Sequence, residues 1–188
     1  MKIILGSESR WRKVILKGMG YDFGVMPAHI DEKSIRFDDP EKLVSALARA
    51  KADAILPKID EEAILITADQ VIFCNGKILE KPENEKQARE YLKGYKVHPA
   101  ESVTCVCITN TKTKKQISKT DIAEIIFNEI PDNIIDELIE QGDVFACAGG
   151  FTIENTVLDK YVKEIKGAPD SIKGFPIELT EKLINEIQ

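Results

Sequence analysis

The sequence predicts an α/β fold built on a mixed β-sheet, as one compact unit that is bilobed around a cleft. Three observations carry this. Strand and helix patterns alternate through the first half, a long hairpin pattern follows in the second half, and no repeat, low-complexity tract or linker divides the 188 residues.

The elements follow from local chemistry. Lys2–Leu5 is a short apolar run and reads as a buried first strand. Gly6-Ser7-Glu8-Ser9 is a turn, with Ser9 as N-cap of a helix to about Lys17, ended by Gly18 and Gly20. Residues 22–26 read as a second strand. Asp38-Asp39-Pro40 starts a helix, because acidic caps precede a proline at the first helical position. Leu43, Leu47, Ala50 and Ala54 then recur at helical spacing up to Pro57. Residues 63–68 form a continuous apolar strand that ends in Asp69. Residues 71–74 and 77–79 flank Asn75-Gly76, the dipeptide that suits a type I′ hairpin. Residues 83–93 are helical with Gly94 as C-terminal cap, and 102–109 and 115–127 are long strands joined by a turn. Residues 131–141 form a helix closed by Gly142, and 180–187 form the last helix.

Composition restricts the function classes. Hydrophobic residues make up 43%, enough for a packed core. No apolar run approaches the ~20 residues of a membrane span, and the N-terminal run is too short for a signal peptide. A soluble, cytoplasmic protein is expected. The net charge of −6 disfavours long nucleic acids, whose phosphates an acidic chain repels. A small nucleotide held by a few cations and a metal is compatible with it. Cys74, Cys105, Cys107 and Cys147 form no CxxC pair, and His29 and His98 are far apart, so reduced, mostly buried thiols are expected and a zinc site is not.

Two groups of residues carry chemistry. The first turn, Gly6 to Arg12, directs backbone N–H groups and hydroxyls toward a helix N-terminus, which favours anions. Arg10, Arg12, Lys13 and Lys17 make its helix the most basic segment of the chain. The second group is Asp31-Glu32 after a strand, Lys51 between alanines on a helix, Asp69 at a strand end and Lys81 after the hairpin. Carboxylates at strand ends together with Lys and Arg suit phosphoryl chemistry: the former hold a metal or orient water, the latter neutralise phosphate charge.

These residues resemble a known family. Leu5-x-Ser7-x-Ser9-x-x-Arg12, Asp31-Glu32, the alanine-flanked Lys51, Thr67-Ala68-Asp69-Gln70-Val71 and Lys81-Pro82 resemble the motifs of the Maf nucleotide pyrophosphatases. So do Ala148-Gly149-Gly150-Phe151-Thr152-Ile153-Glu154 and Gly174-Phe175-Pro176, and the motifs run in order from Leu5 to Leu179. The resemblance implies two α/β lobes around a long mixed sheet with flanking helices, related to the inosine triphosphate pyrophosphatase-like architecture. It implies a homodimer and a divalent metal, Mg²⁺, Mn²⁺ or Co²⁺. It places Ser7, Arg12, Lys51 and Lys81 on phosphates. Asp69 becomes the acceptor of the attacking water's proton, and Glu32 assists with metal or water, so that Asp69 and Glu32 are the metal ligands. The activity implied is hydrolysis of a nucleoside triphosphate between its α and β phosphates, a house-cleaning role.

The chain departs from the commoner pattern at Trp11, Gln70 and Glu154, and there it resembles the branch acting on 7-methyl-GTP. The expectation is that Trp11 stacks on the base, Gln70 bonds an edge or ribose, and Glu154 accepts from guanine N1–H and the 2-amino group. N7-methylation makes guanine cationic, and a tryptophan face attracts cations. Against this, Trp11, Ile15 and Met19 also lie at core-stripe spacing. The alternatives are a dTTP/UTP pyrophosphatase of the same family, or a non-catalytic nucleotide-binding regulator of cell division.

Overall fold

The computed structural model describes residues 2–187. Its elements run in the order β1 (Lys2–Leu5), α1 (Arg10–Gly18), β2 (Phe23–Val25), α2 (Pro40–Ile55), β3 (Ala63–Cys74), β4 (Lys77–Leu79) and α3 (Glu85–Gly94). These are followed by β5 (Ala100–Asn110), β6 (Gln116–Phe127), α4 (Asp132–Gln141), β7 (Val162–Lys166), α5 (Pro169–Ile172) and α6 (Ile177–Ile187). The strands form one seven-stranded sheet in the order β2-β1-β3-β5-β6-β7, with β4 added beside β3. β1 runs parallel to β2 and β3, whereas β4 and β7 run antiparallel to β3 and β6, so the sheet is mixed as the alternating pattern predicts.

The chain divides into two compact units, one made of the segments up to residue 69, 104–121 and from 174 onward, the other of 70–103 and 122–173. The strands β3, β5 and β6 contribute residues to both.

In the first unit, Ile3 and Leu5 of β1, Ile64, Ile66 and Ala68 of β3 and Val106 and Ile108 of β5 form a core with Leu16, Phe175, Leu183, Ile184 and Ile187. Because β1 and β3 are buried on both faces, they read as continuous apolar runs. α2 starts where the acidic cap requires: the Asp39 side chain accepts from the Lys42 N–H at 3.1 Å, with Pro40 in the first turn. Its buried stripe is Leu43, Val44, Leu47, Ala48, Ala52 and Ile55, whereas Ala50 and Ala54 of the expected stripe are only partly buried. Gly6 is required by a close approach, since a Cβ there would sit 2.6 Å from Thr67 Cγ2 and 2.7 Å from Ile55 Cδ1.

In the second unit, Tyr95, Phe127 and Phe151 pack with ring centroids 5.2–5.4 Å apart, two of the pairs edge to face. Ile72, Leu92, Ile125, Ile135, Leu138 and Leu158 complete that core. The β3–β4 hairpin turns at Asn75 (φ 49°) and Gly76 (φ 72°), the two positive φ values of a type I′ turn.

Four expectations change. The 63–68 strand does not stop at Asp69: β3 is one strand of 12 residues that continues into the hairpin, so Asp69 lies mid-strand. Asp69 and Gln70 disfavour strand by composition, but pairing with neighbouring strands overrides propensity. Gly94 is the last helical residue rather than a left-handed cap; Tyr95 follows it with right-handed φ/ψ and buries its ring. The last helix starts at Ile177, immediately after Pro176. β7 and α5 are additional: Val-Lys-Glu-Ile-Lys carries too little apolar pattern to announce an edge strand, and α5 is only four residues long.

Candidate active site

Ser9 caps α1 by accepting from the Arg12 N–H at 3.4 Å, and Ser7 Oγ accepts from the Ser9 N–H at 3.2 Å. The turn is thereby locked with Ser7 buried beneath the helix N-terminus. Arg12 ties three segments of the first unit together. Its Nε donates to the Gly174 carbonyl at 3.0 Å, and its Nη1 donates to the Ala68 carbonyl at 2.6 Å and to Ser7 Oγ at 3.4 Å. Burial pulls the guanidinium pKa down, while Asp69 and then Glu32 push it up. The sequence marked Gly174-Phe175-Pro176 only as a motif; its role as a carbonyl anchor for Arg12 comes from the fold.

Asp69 is 7% exposed. Lys51 reaches it from α2, hydrogen-bonding to Asp69 Oδ1 and lying 3.0 Å from Glu32 Oε1. The register of this contact is set two residues earlier. Thr67 Oγ1 donates to the Ala48 carbonyl at 2.7 Å. Thr67 and Asp69 share a strand face by their spacing of two, and Ala48 and Lys51 share a helix face by their spacing of three. Fixing the first pair therefore brings the second into contact. The fully buried Ala48 and Ala52 let the helix approach closely enough.

Desolvation is the largest influence on Asp69 and raises its pKa; Lys51 and Arg12 oppose that, and Glu32 adds to it. A carboxylate more basic than usual suits a proton acceptor. Glu32 opens a single turn of 3-10 helix and its side chain is 53% exposed, so one carboxylate of the pair is buried and one wet. Among the described residues, no group of three or more His, Cys, Asp or Glu could hold a metal ion. Two carboxylates nevertheless fit a hard cation that takes its other ligands from phosphate oxygens and water.

Trp11 is half-exposed on α1. Ile15 and Met19 pack on the core, while the Arg10 guanidinium lies 5.3 Å above the Trp11 ring. The indole therefore receives a planar cation from its own helix on its face.

The second unit carries Gln70, Lys81 and Glu154. Gln70 Nε2 donates to Ser102 Oγ at 2.7 Å and to the Ile172 carbonyl at 2.8 Å. Because a carbonyl can only accept, the amide nitrogen faces this way. Lys81 is exposed, and the Pro82 that follows it lies against Gly150. The Gly149 N–H donates to the Glu80 carbonyl at 3.1 Å, so the Lys81 segment and the Ala-Gly-Gly segment are joined. Glu154 accepts from Thr152 Oγ1 and pairs with Lys173 at 3.1 Å. All four cysteines are free thiols, three of them buried.

A mixed α/β sheet presenting a serine–arginine turn and a buried carboxylate–lysine pair in one unit is an arrangement for phosphoanhydride chemistry. Residues 2–187 match the family described as "Maf-like protein", and the chain belongs to the Maf family. It is similar to a 7-methyl-GTP pyrophosphatase of Dictyostelium discoideum, 46% identical over 98% of this chain and 96% of the relative. It is also similar to a dTTP/UTP pyrophosphatase of Clostridium perfringens, 33% identical over 98% and 96%. Among solved structures, a nucleoside-triphosphatase / dITP/XTP pyrophosphatase from Mycobacterium abscessus matches with a TM-score of 0.43 and 11% identity, over 70% of this chain and 75% of that one. No helix among the described residues is long and apolar enough to cross a membrane.

Proposed function

We propose that this protein hydrolyses a nucleoside triphosphate between the α and β phosphates, with 7-methyl-GTP as its preferred substrate. The observation that carries the chemistry is the buried Asp69 carboxylate held by Lys51. Lys51 occupies Oδ1, which leaves Oδ2 to accept the proton of a water. That water attacks the α-phosphorus, the bond from the α-phosphorus to the α–β bridging oxygen breaks, and pyrophosphate leaves as the nucleoside monophosphate forms. Ser7, Arg12, Lys51 and Lys81 bind and neutralise phosphate oxygens. Glu32 and Asp69 would hold a divalent cation, which supplies charge neutralisation at the phosphates when bound. A binding-only regulator has no need of a buried carboxylate kept more basic than usual, so the enzymatic reading is preferred.

Trp11, Gln70 and Glu154 select the base in this reading, and the similarity to the Dictyostelium discoideum relative supports it. The second reading, preference for dTTP or UTP, is favoured by the similarity to the Clostridium perfringens protein. The protein acts on free nucleotides in the cytoplasm as a homodimer, and its net charge of −6 suits small substrates over nucleic-acid polymers or anionic membranes. Pyrophosphate release measured across 7-methyl-GTP, GTP, UTP and dTTP with Mg²⁺, Mn²⁺ and Co²⁺ tests both readings. Highest kcat/KM on 7-methyl-GTP is expected, highest kcat/KM on a pyrimidine selects the second reading, and no release from any of them ends the enzymatic one.

A further inference from the structure

Glu154 is 17% exposed, and its two oxygens are engaged unequally. Oε2 accepts from the hydroxyl of Thr152, two residues back. Oε1 is buried and has no hydrogen bond, although the Lys173 ammonium lies 3.1 Å from it. The pair is thus a charge contact without hydrogen-bond alignment, in which Oε1 faces the Lys173 ammonium and not solvent. A buried carboxylate oxygen lacking a hydrogen bond is costly unless something completes it.

Lys173 is in turn held in place by its own segment. The two carbonyls before it are fixed: Ser102 Oγ donates to the Ser171 carbonyl at 3.1 Å, and Gln70 Nε2 donates to the Ile172 carbonyl at 2.8 Å. Ser171 and Ile172 are themselves buried. A lysine on a freely moving loop would lose little by pointing into solvent. Here the backbone that carries it is clamped, and the side chain is only 32% exposed. Gln70 and Glu154, distant in sequence, therefore meet through residues 171–173.

We propose that Lys173 is a positioning residue that holds the Glu154 carboxylate for the substrate base, with Gln70 acting through the 171–172 backbone to keep Lys173 there. Its charge contact on one oxygen and the Thr152 hydroxyl on the other fix the plane of the carboxylate. A carboxylate held in this way suits an N–H donor of the base, such as the N1–H or 2-amino group of a guanine. A pyrimidine with a carbonyl at the corresponding edge gains nothing from it. The inference rests on the reading of Glu154 as a base contact, and it deepens that reading.

The test is a double-mutant cycle on the full-length protein with Lys173→Met, Glu154→Gln and the pair, and with Lys173→Arg as a conservative control. For 7-methyl-GTP, Lys173→Met should raise KM about tenfold with kcat within about twofold, because positioning is lost and the phosphate chemistry is untouched. UTP hydrolysis should not change. Lys173→Arg should restore most of the loss, and Lys173→Met should have no further effect once Glu154 is glutamine. Additive losses, an unchanged KM, or an equal loss on UTP would each overturn the proposal. If wild type prefers another nucleotide, the substrate reading fails by itself. The cycle run on the preferred nucleotide then still reports whether Lys173 acts through Glu154. Should Lys173→Met not fold, Lys173→Gln replaces it under the same criteria.

Discussion

The ammonium of Lys51 serves two carboxylates at once, hydrogen-bonding to Asp69 and lying 3.0 Å from Glu32. One of those carboxylates is buried mid-strand and the other stands in solvent, so the same cation meets two dielectric environments. Removing either end should have different consequences.

Asp69→Asn keeps the shape and removes the basicity. Turnover should fall roughly 10²–10⁴-fold while circular dichroism stays native, because one positioned proton acceptor contributes about that much. Near-normal turnover would remove Asp69 from the role.

The pH dependence follows from the raised pKa of Asp69. The working form is the ionised one, so activity should fall as pH drops through a value above the ordinary 3.8. Stability has the opposite sign: a folded-state pKa above the unfolded one adds stability that is full below 3.8 and is lost as pH rises through the folded value. Chemical denaturation from pH 3.5 upward should therefore show a smaller decline for Asp69→Asn than for wild type. An equal decline would mean that Asp69 is not the group responsible.

Lys51→Ala and Lys81→Ala should separate stability from catalysis. Lys51 and Asp69 are both almost buried, with side chains 12% and 10% exposed, and deleting one partner of such a pair costs about 3 kcal/mol. Lys81 is exposed, so its loss should leave the melting temperature within error. Both variants should lower kcat/KM for every triphosphate without reordering them. A changed order in either would mean that the lysine reads the base.

Gly149→Ala should destabilise the second unit. The residue has φ +69°, and a Cβ would lie 2.6 Å from Tyr95 Oη and 2.9 Å from Ile72 Cβ. Tyr95 Oη also donates to the Gly149 carbonyl at 2.6 Å, so the clash displaces a buried hydrogen bond. A loss of about 3 kcal/mol in urea denaturation is expected, and a loss below about 1 kcal/mol would contradict the geometry.

Cys105 and Cys107 should be inert in the native protein. Burial pushes both thiols up to about 11, and neither has measurable exposure. A chromogenic disulfide reagent at pH 8 should leave both unmodified until denaturant is added. Rapid native modification of either, mapped by mass spectrometry, would show that β5 opens.

Base selection has its own readout. Glu154→Gln should lower kcat/KM for 7-methyl-GTP tenfold to a hundredfold and leave UTP nearly unchanged, since a charged hydrogen bond is worth about 1.5–3 kcal/mol. Trp11→Arg combined with Gln70→Thr and Glu154→Gln should shift preference toward pyrimidines. A uniform loss on all nucleotides would place these residues outside base recognition.

Local chemistry alone determined much of this molecule. The Asp39-Pro40 start of α2, the Ser9 cap of α1, the Asn75-Gly76 turn and the Gly142 end of α4 are each decided within a few residues, by capping hydrogen bonds and permitted φ values. The same local reach explains why Ser7, Arg12, Glu32, Lys51, Asp69 and Lys81 could be named from motifs. Tertiary structure decided what each of them touches. Asp69 lies inside a long strand because neighbouring strands outweigh its own propensity, and Lys51 finds it because Thr67 fixes the register of α2. Arg12 is bound to a carbonyl 162 positions away, and Lys173 meets Glu154 across a backbone clamped by Gln70. Such contacts join residues remote in sequence, and no periodicity or cap announces them. Their partners are backbone carbonyls and single charges, groups that every segment of the chain possesses, so only the packed fold selects among them.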